Sequence, residues 1–275
     1  MRGKNITLPF SLHVCLYLSS MKISDPRYVF RLLQKKGPAY VAKQTLTLGE
    51  KYVRQLAQSL LYLPTLQKLP QNMSIPDVLN FVENECQGYF KPIQVRMEIT
   101  SLLHHIQKIK PKTVVEIGTA SGGTLLCMTK VSPSDATFIS IDLPAGPFGG
   151  GSPWYKKPLF QAFVSGKQHM HLLRLDSHVS STQKKLENIL HSKKVDFMLI
   201  DGDHTYEGVK KDFEMYSHYV KKGGTIAFHD IVAHTTEANC QVDKFWQEIK
   251  KKYASETFVE NWKQGVCGIG IIEYK

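Results

Sequence analysis

The residues best suited to chemistry lie in two short stretches. The first is Val195-Asp196-Phe197-Met198-Leu199-Ile200-Asp201-Gly202-Asp203-His204-Thr205-Tyr206-Glu207, an apolar run that breaks into acids and a histidine. The second, Ala227-Phe228-His229-Asp230, ends in the same way. If both runs are buried parallel strands, Asp201 and Asp230 emerge at the carboxyl edge of a sheet, where open α/β folds bind ligands. Neighbouring strands lie about 4.8 Å apart, so the two carboxylates can share one ion. Two carboxylates with waters suit Mg²⁺, a hard cation that keeps several waters. His204 and Asp203 are the adjacent bases. Each has a plainer use: Asp203 or Thr205 can cap the helix carrying Val209, Phe213 and Val220, and His204 can be a surface histidine. His229 reads equally as a metal ligand or as a hydrogen-bonding pocket residue. His104, His105, His169, His171 and His234 receive no role.

Upstream, Val114-Val115-Glu116-Ile117-Gly118-Thr119-Ala120-Ser121-Gly122-Gly123 reads as a strand, a glycine-rich turn and a helix start. The small residues Gly118, Ala120, Ser121 and Gly122 let the backbone approach a ligand, and a helix N-terminus favours an anionic group. Dinucleotide sites use the same device. Glu116, however, stands at the strand end where those sites carry an apolar or small residue. A carboxylate there suits a positive amino group, which a nicotinamide dinucleotide lacks. The next strand ends in Asp142, an acid suited to ribose hydroxyls. The segment Gly146 to Gly151, followed by Trp154 and Tyr155, reads as a lid or as a surface loop anchored by its tryptophan. Gln94 and Glu98 sit one helical turn apart, on a helix that could close over a cofactor or simply expose an (i, i+4) pair.

The elements that must position these residues are legible from periodicity. Thr113–Ile117, Thr137–Ile141, His171–Arg174, Val195–Ile200 and Thr225–Phe228 are short apolar runs bounded by turn residues, with helical stretches between them. One of these, Ser180–His191, opens with the capping-box pattern Ser180-Ser181-Thr182-Gln183. Strands alternating with helices predict a parallel sheet covered on both faces. Thr257–Val259 and Val266–Ile272 have no helix between them and predict a closing hairpin, so that the last strand runs antiparallel. The fold class is therefore α/β: a Rossmann-like three-layer sandwich around a seven-stranded, mostly parallel sheet. Helices broken by Pro38, Pro64, Pro70, Pro76 and Pro92 precede it. The expected organisation is a poorly ordered extension at 1–20, with Met21 an alternative start, a helical N-terminal region at 21–90 and the ligand-binding domain at 91–275.

Composition excludes some classes. The chain has 275 residues and a formal charge of +11, but its lysines fall in short pairs at element ends and are not interleaved with aromatics, which disfavours a nucleic-acid platform. Five scattered cysteines lack metal-ligand or redox spacing and point to a reduced, cytoplasmic protein. The apolar run Ile6 to Leu18 is too short to span a membrane.

These motifs resemble, in order and over roughly residues 90 to 275, class I S-adenosylmethionine-dependent methyltransferases. The resemblance is to the group of cephalosporin-hydroxylase-like and macrolide or rhamnosyl O-methyltransferases. Glu116-Ile117-Gly118-x-Ala120-x-Gly122 looks like their first motif, with Ala120 replacing the usual middle glycine. Asp142 matches the ribose-binding acid and Asp176-Ser177 the segment flanking adenine. The stretches Ile200–Gly208, Gly223–Asp230 and Phe245–Ile249 also match. The resemblance implies S-adenosylmethionine as cofactor, held by Glu116, Gly118, Ala120, Ser121, Gly122, Asp142, Asp176, Ser177 and Asp201. It further implies a metal at Asp201, Asp230 and His229, with His204 and Asp203 taking a proton from an acceptor hydroxyl. Metal-binding relatives carry an acid pair where this chain has His229-Asp230, so two acids remain instead of three. The acceptor would be a small molecule or saccharide. The N-terminal helices would cover the site or mediate homodimerisation. Alternatives are an RNA- or DNA-modifying methyltransferase, opposed by Asp201-Gly202-Asp203-His204 where amino-methylating enzymes carry a proline-rich motif, a non-catalytic binding protein, and a nicotinamide oxidoreductase.

Overall fold

A computed structural model of the chain describes residues 34–36, 38–144, 152–235 and 239–275. The N-terminal extension at 1–20, the alternative start and the glycine loop Gly146 to Gly151 lie outside the described residues. The chain divides into two units, Met1–Leu60 and Leu61–Lys275. The first is represented by the opening turns of helix α1, Pro38–Gln67, where Leu46 and Val53 are exposed. No helix among the described residues is long and apolar enough to cross a membrane.

The second unit continues with α2 (Ile75–Asn84), α3 (Arg96–Ile109), β1 (Thr113–Ile117), α4 (Gly123–Val131), β2 (Thr137–Asp142), α5 (Lys157–Gln161) and β3 (His169–Arg174). It closes with α6 (Ser180–Leu190), β4 (Val195–Ile200), α7 (Tyr206–Tyr216), β5 (Val220–His229), α8 (Val242–Ile249), β6 (Ser255–Phe258) and β7 (Ile269–Glu273). The strands form a seven-stranded sheet in the order β3-β2-β1-β4-β5-β7-β6. The first five run parallel, whereas β7 pairs antiparallel with both β5 and β6. This is the Rossmann-like sandwich with the expected closing hairpin.

Continuous apolar strands are required because both faces are covered. On one face Ile99, Leu102, Leu103 and Ile106 of α3 join Leu125 and Met128 of α4 and the aromatic pair Phe160 and Phe163. On the other, Leu186 of α6, Val209 and Phe213 of α7 and Phe245 and Trp246 of α8 enclose Ile117, Met198, Ile200 and Phe228. Ile75, Val78, Leu79, Val82 and Phe90 belong to the first of these cores.

Three local readings change. Helix α6 is capped by Val179 without a side-chain bond. Its expected capping box does not form, because Ser180 lies inside the helix and the Gln183 amide donates instead to the Met215 carbonyl at 2.7 Å. Val220 opens β5 and does not continue the helix before it. Gln94 and Glu98 do not form a helical pair, since α3 begins only at Arg96. Glu98 is fully buried, and its carboxylate accepts from the Gly268 backbone N–H at 2.9 Å, the Glu260 N–H at 3.2 Å and the Gln264 amide at 2.8 Å. One side chain on α3 thus satisfies the backbone of the loop between β6 and β7. Glu98→Ala orphans these donors and is expected to lower stability by about 3 kcal/mol, read as a drop in the urea midpoint at unchanged slope. A loss under half a kcal/mol would show that water replaces the carboxylate.

Candidate active site

Five parallel strand ends open on one cavity of about 450 Å³. Its wall contains Glu116, Gly118, Ala120, Ser121, Asp142, Asp176, Ser177, Asp201, Asp203, His204, His229 and Asp230, so nearly every residue singled out from sequence converges here. Gly122 is the exception. It caps α4 in the left-handed conformation, and a Cβ there would press on the rings of Phe160 and Phe163 at 2.6 and 2.9 Å. Its role is packing beneath the turn, and Gly123 lines the cavity in its place.

The turn is built by backbone geometry. Gly118 has φ +86°, and a Cβ on it would overlap the carbonyl of Asp201. Its N–H donates to the Ile141 carbonyl at 2.9 Å, and the Asp201 N–H donates to the Ile117 carbonyl at 2.8 Å. Ala120 keeps the left-handed conformation, φ 48°, that a glycine would adopt more cheaply. Its N–H donates to Asp142 Oδ2 at 3.1 Å, while Lys156 Nζ donates to its carbonyl at 3.0 Å. Glu116 is buried, and accepts from the Thr119 hydroxyl at 2.7 Å.

At the other end of the cavity, carboxylates and imidazoles interleave. His229 Nδ1 lies 3.0 Å from Asp201 Oδ1 and 3.4 Å from Asp230 Oδ1. His204 bridges the same acids, with Nε2 3.5 Å from Asp201 Oδ1 and Nδ1 3.2 Å from Asp230 Oδ2. His234 Nε2 meets Asp230 Oδ1 at 3.0 Å. Sequence reading gave His234 no role; its four-residue spacing from Asp230 was the available signal. Gln94 was weighed only for its helix, yet it accepts from the Thr124 hydroxyl at 3.0 Å and directs its amide to Asp201 Oδ2 at 3.5 Å. Asp203 faces the cavity, but its Oδ1 accepts from the backbone and hydroxyl of Thr205, which in turn caps α7 through the Gly208 N–H.

Residues 115–231 match the family model described as a methyltransferase domain. The match is to that domain over this segment, which is less than half of the chain. Over 118 residues the chain is 35% identical to an uncharacterised protein of Acanthamoeba polyphaga mimivirus, covering 43% of this chain and 51% of that protein. A second relative, an uncharacterised protein of Sinorhizobium fredii, is 23% identical over 147 residues, covering 52% of this chain and 16% of its own length. The chain therefore spans about half or less of these relatives. Among solved structures, an O-methyltransferase from Bacillus cereus in complex with SAH has TM-score 0.49 at 15% identity, covering 76% of this chain and 93% of that one. The O-methyltransferase TomG from Streptomyces achromogenes, involved in tomaymycin synthesis and solved with SAM, has TM-score 0.48 at 12% identity over 76% and 92% of the two chains.

The acids of the cavity divide electrostatically. Burial raises Glu116 well above the carboxylate range, against the Thr119 hydrogen bond. Burial also lifts Asp142 to about 6, although the Ala120 N–H and Lys156 oppose the shift. Burial would raise Asp201 and Asp230 as well, but the charge of His229 outweighs it and both lie below their ordinary values. Reciprocally, His229 is raised well above the imidazole range against its burial. His204, also against burial, is raised to about 10 by Asp201, Cys240 and Asp230.

The domain's glycine turn gives a steric prediction. Gly118→Ala must relieve an overlap with backbone and hold a left-handed alanine, at roughly 1–2 kcal/mol for the conformation alone. Gly166→Ala, at φ +63° with nothing within 4 Å of the added Cβ, carries only the second cost. Thermal unfolding should therefore show a larger drop for Gly118→Ala than for Gly166→Ala. Equal drops would mean that the β1 and β4 ends separate easily.

Proposed function

We propose that this chain is an S-adenosylmethionine-dependent methyltransferase that methylates a hydroxyl of a small molecule or saccharide, with His204 as general base. The observation that supports it is that one cavity joins the Glu116–Gly123 turn and Asp142 to the Asp201, His204, His229 and Asp230 cluster. The residues fit the cofactor. Asp142 stands at the strand end to accept from ribose hydroxyls. Glu116, costly to ionise when alone, would be ionised by an arriving ammonium group. Small residues at the turn leave room for the chain of the cofactor.

When bound, the cofactor supplies an electrophilic methyl already activated by its sulfonium. The chain's own residues must place the acceptor oxygen in line with it and remove its proton. His204 lies in the cavity wall, fixed between two carboxylates that hold its ring in place and stabilise the imidazolium it becomes. His229 has its Nδ1 turned to Asp201, while Nε2 has no hydrogen-bond partner among the described residues. That nitrogen is a donor for the oxygen as it gains negative charge, the role an oxyanion site plays. Asp203 is committed to the Thr205 cap, so we assign it to holding the loop that carries His204.

Magnesium does not fit this cluster. It demands oxygen ligands in near-octahedral array, whereas Asp201 and Asp230 are already flanked by three imidazoles. The groups that could gather around one ion, His204–Asp230–Cys240 and His229–Asp230–Cys267, are rich in nitrogen and sulfur.

Binding is tested by calorimetry with S-adenosylhomocysteine. Asp142 accepts more strongly when ionised, so its contribution to affinity should fade as pH falls through about 6, while the proton Glu116 gives up on meeting the ammonium makes affinity continue to rise above that. Asp142→Asn should weaken affinity above about 6 and remove the Asp142 part of this dependence. Absence of binding by the wild type would sink the reading. The chemical step is tested in an acceptor screen. A base must be unprotonated to work, and His204 is raised to about 10; turnover should therefore climb from neutral into alkaline pH and be insensitive to EDTA. His204→Asn should lower kcat by about 10²–10⁴-fold. A rising limb centred near 6.5 would assign the base elsewhere.

A further inference from the structure

One buried charge beside the cavity takes no part in these steps. Asp212, on α7, is fully buried, and its Oδ2 has no hydrogen-bond partner among the described residues. Its charged partner is His178, whose Nε2 lies 3.2 Å from Asp212 Oδ1. Burying a carboxylate without full hydrogen bonding is costly, and an apolar residue would fill the same position on the helix without that cost. His178 follows β3, lines the cavity, and is fixed by its backbone N–H donating to Asp176 Oδ1 at 2.7 Å. Asp212 lies directly behind the cavity floor: a Cβ on Gly202 would sit 3.4 Å from its Oδ2.

The position along the cavity identifies what meets His178. The ionised cluster of His204, His229 and Asp230 marks the β4–β5 end, where methyl transfer is placed. Asp142 marks the ribose at the end of β2. Leu175, Asp176, Ser177 and His178 line the cavity one strand further out, at β3. The part of the cofactor beyond the ribose is its adenine ring, a flat base whose ring nitrogens accept hydrogen bonds.

We propose that His178, held by Asp212, donates a hydrogen bond to an adenine ring nitrogen and is a specificity-determining residue for the cofactor. This rests on the methyltransferase reading above. The carboxylate anchors Nε2–H and leaves Nδ1 as the nitrogen available to a ligand. It also favours the imidazolium form, in which Nδ1 carries a proton and the bond is charge-assisted. The His178 pKa is raised, first by the Asp212 hydrogen bond and against its burial. Asp212 touches no ligand itself and acts as a positioning residue.

The test compares S-adenosylhomocysteine with its 1-deaza, 3-deaza and 7-deaza analogues, each of which replaces one ring nitrogen by C–H. Affinities are measured by calorimetry on the full chain. Wild type should bind one of the three at least about tenfold more weakly than the parent. In His178→Ala and His178→Phe that penalty should vanish; the phenylalanine keeps the ring volume and lacks the donor. Asp212→Asn should shrink the penalty without removing it. A purely structural role would weaken all four ligands alike and leave their ratios unchanged. The inference is overturned if each deaza penalty is the same in wild type and in both His178 variants, while wild-type binding of the parent still upholds the methyltransferase reading. Failure of the wild type to bind the parent would overturn both.

Discussion

The contact between Gly118 and the backbone of Asp201 is the constraint on which the site depends. Parallel strands β1 and β4 do not simply stop beside each other; their ends are drawn together past the last ladder pair, where no side chain can stand between them. The Asp201 N–H reaches the Ile117 carbonyl and the Gly118 N–H reaches the Ile141 carbonyl, so three strand ends are sewn at one level. This brings Asp142, the glycine turn and Asp201 to a single edge. A second close approach fixes the helix that follows. Gly123 begins α4 where a Cβ would overlap the carbonyl of Phe90, so the helix N-terminus is seated against the segment leading into α3. The cavity is shaped largely by backbone, which changes little with side-chain motion.

On that frame, the same type of residue takes opposite electrostatic characters. Glu116 and Asp142 are carboxylates whose buried positions favour the neutral form, because hydrogen bonds from Thr119 and Ala120 do not offset desolvation. Asp201 and Asp230, no less enclosed, are held ionised by imidazoles. One half of the cavity is thus ready to be ionised by a cationic ligand, and the other is already ion-paired. Asp230 also takes a left-handed backbone, φ 62°, and its Oδ1 accepts from the Cys267 N–H at 3.2 Å. Strain of this kind, about 1–3 kcal/mol, persists only where surrounding structure fixes it. Here the hairpin leading into β7 does so.

What the sequence discloses follows from the range of each interaction. β1 and β4 are legible to the residue, at Thr113–Ile117 and Val195–Ile200, because double burial imposes an unbroken apolar run and the chemistry begins where it ends. The acids at strand ends are legible for the same reason. Local patterns mislead where a distant partner competes. Ser180 to Gln183 has the letters of a capping box, but the Met215 carbonyl takes the Gln183 amide. Gln94 and Glu98 have helical spacing, yet one turns to Thr124 and Asp201 and the other serves a loop more than 160 residues away. His178 and Asp212 carry no motif at all. Their pairing exists only once the segment after β3 and α7 are brought together by the fold.

His229 is one position at which the chain differs from the pattern it resembles, and the difference has a physical consequence. Three carboxylates converging on one strand edge repel one another and require a cation to remain ionised together. An imidazole in place of one of them removes a negative charge and, once protonated, contributes the positive charge from the chain itself. With His204 and His234 also facing Asp230, the two remaining acids are compensated by covalently attached groups. Imidazoliums differ from a metal ion in a way that matters for chemistry. A metal offers charge and coordination but cannot accept a proton, whereas an imidazole can either donate or accept one. An imidazole at the end of β5 therefore balances the charge of this strand edge from within the chain, while the strand order and the glycine turn are the same as an acid there would require.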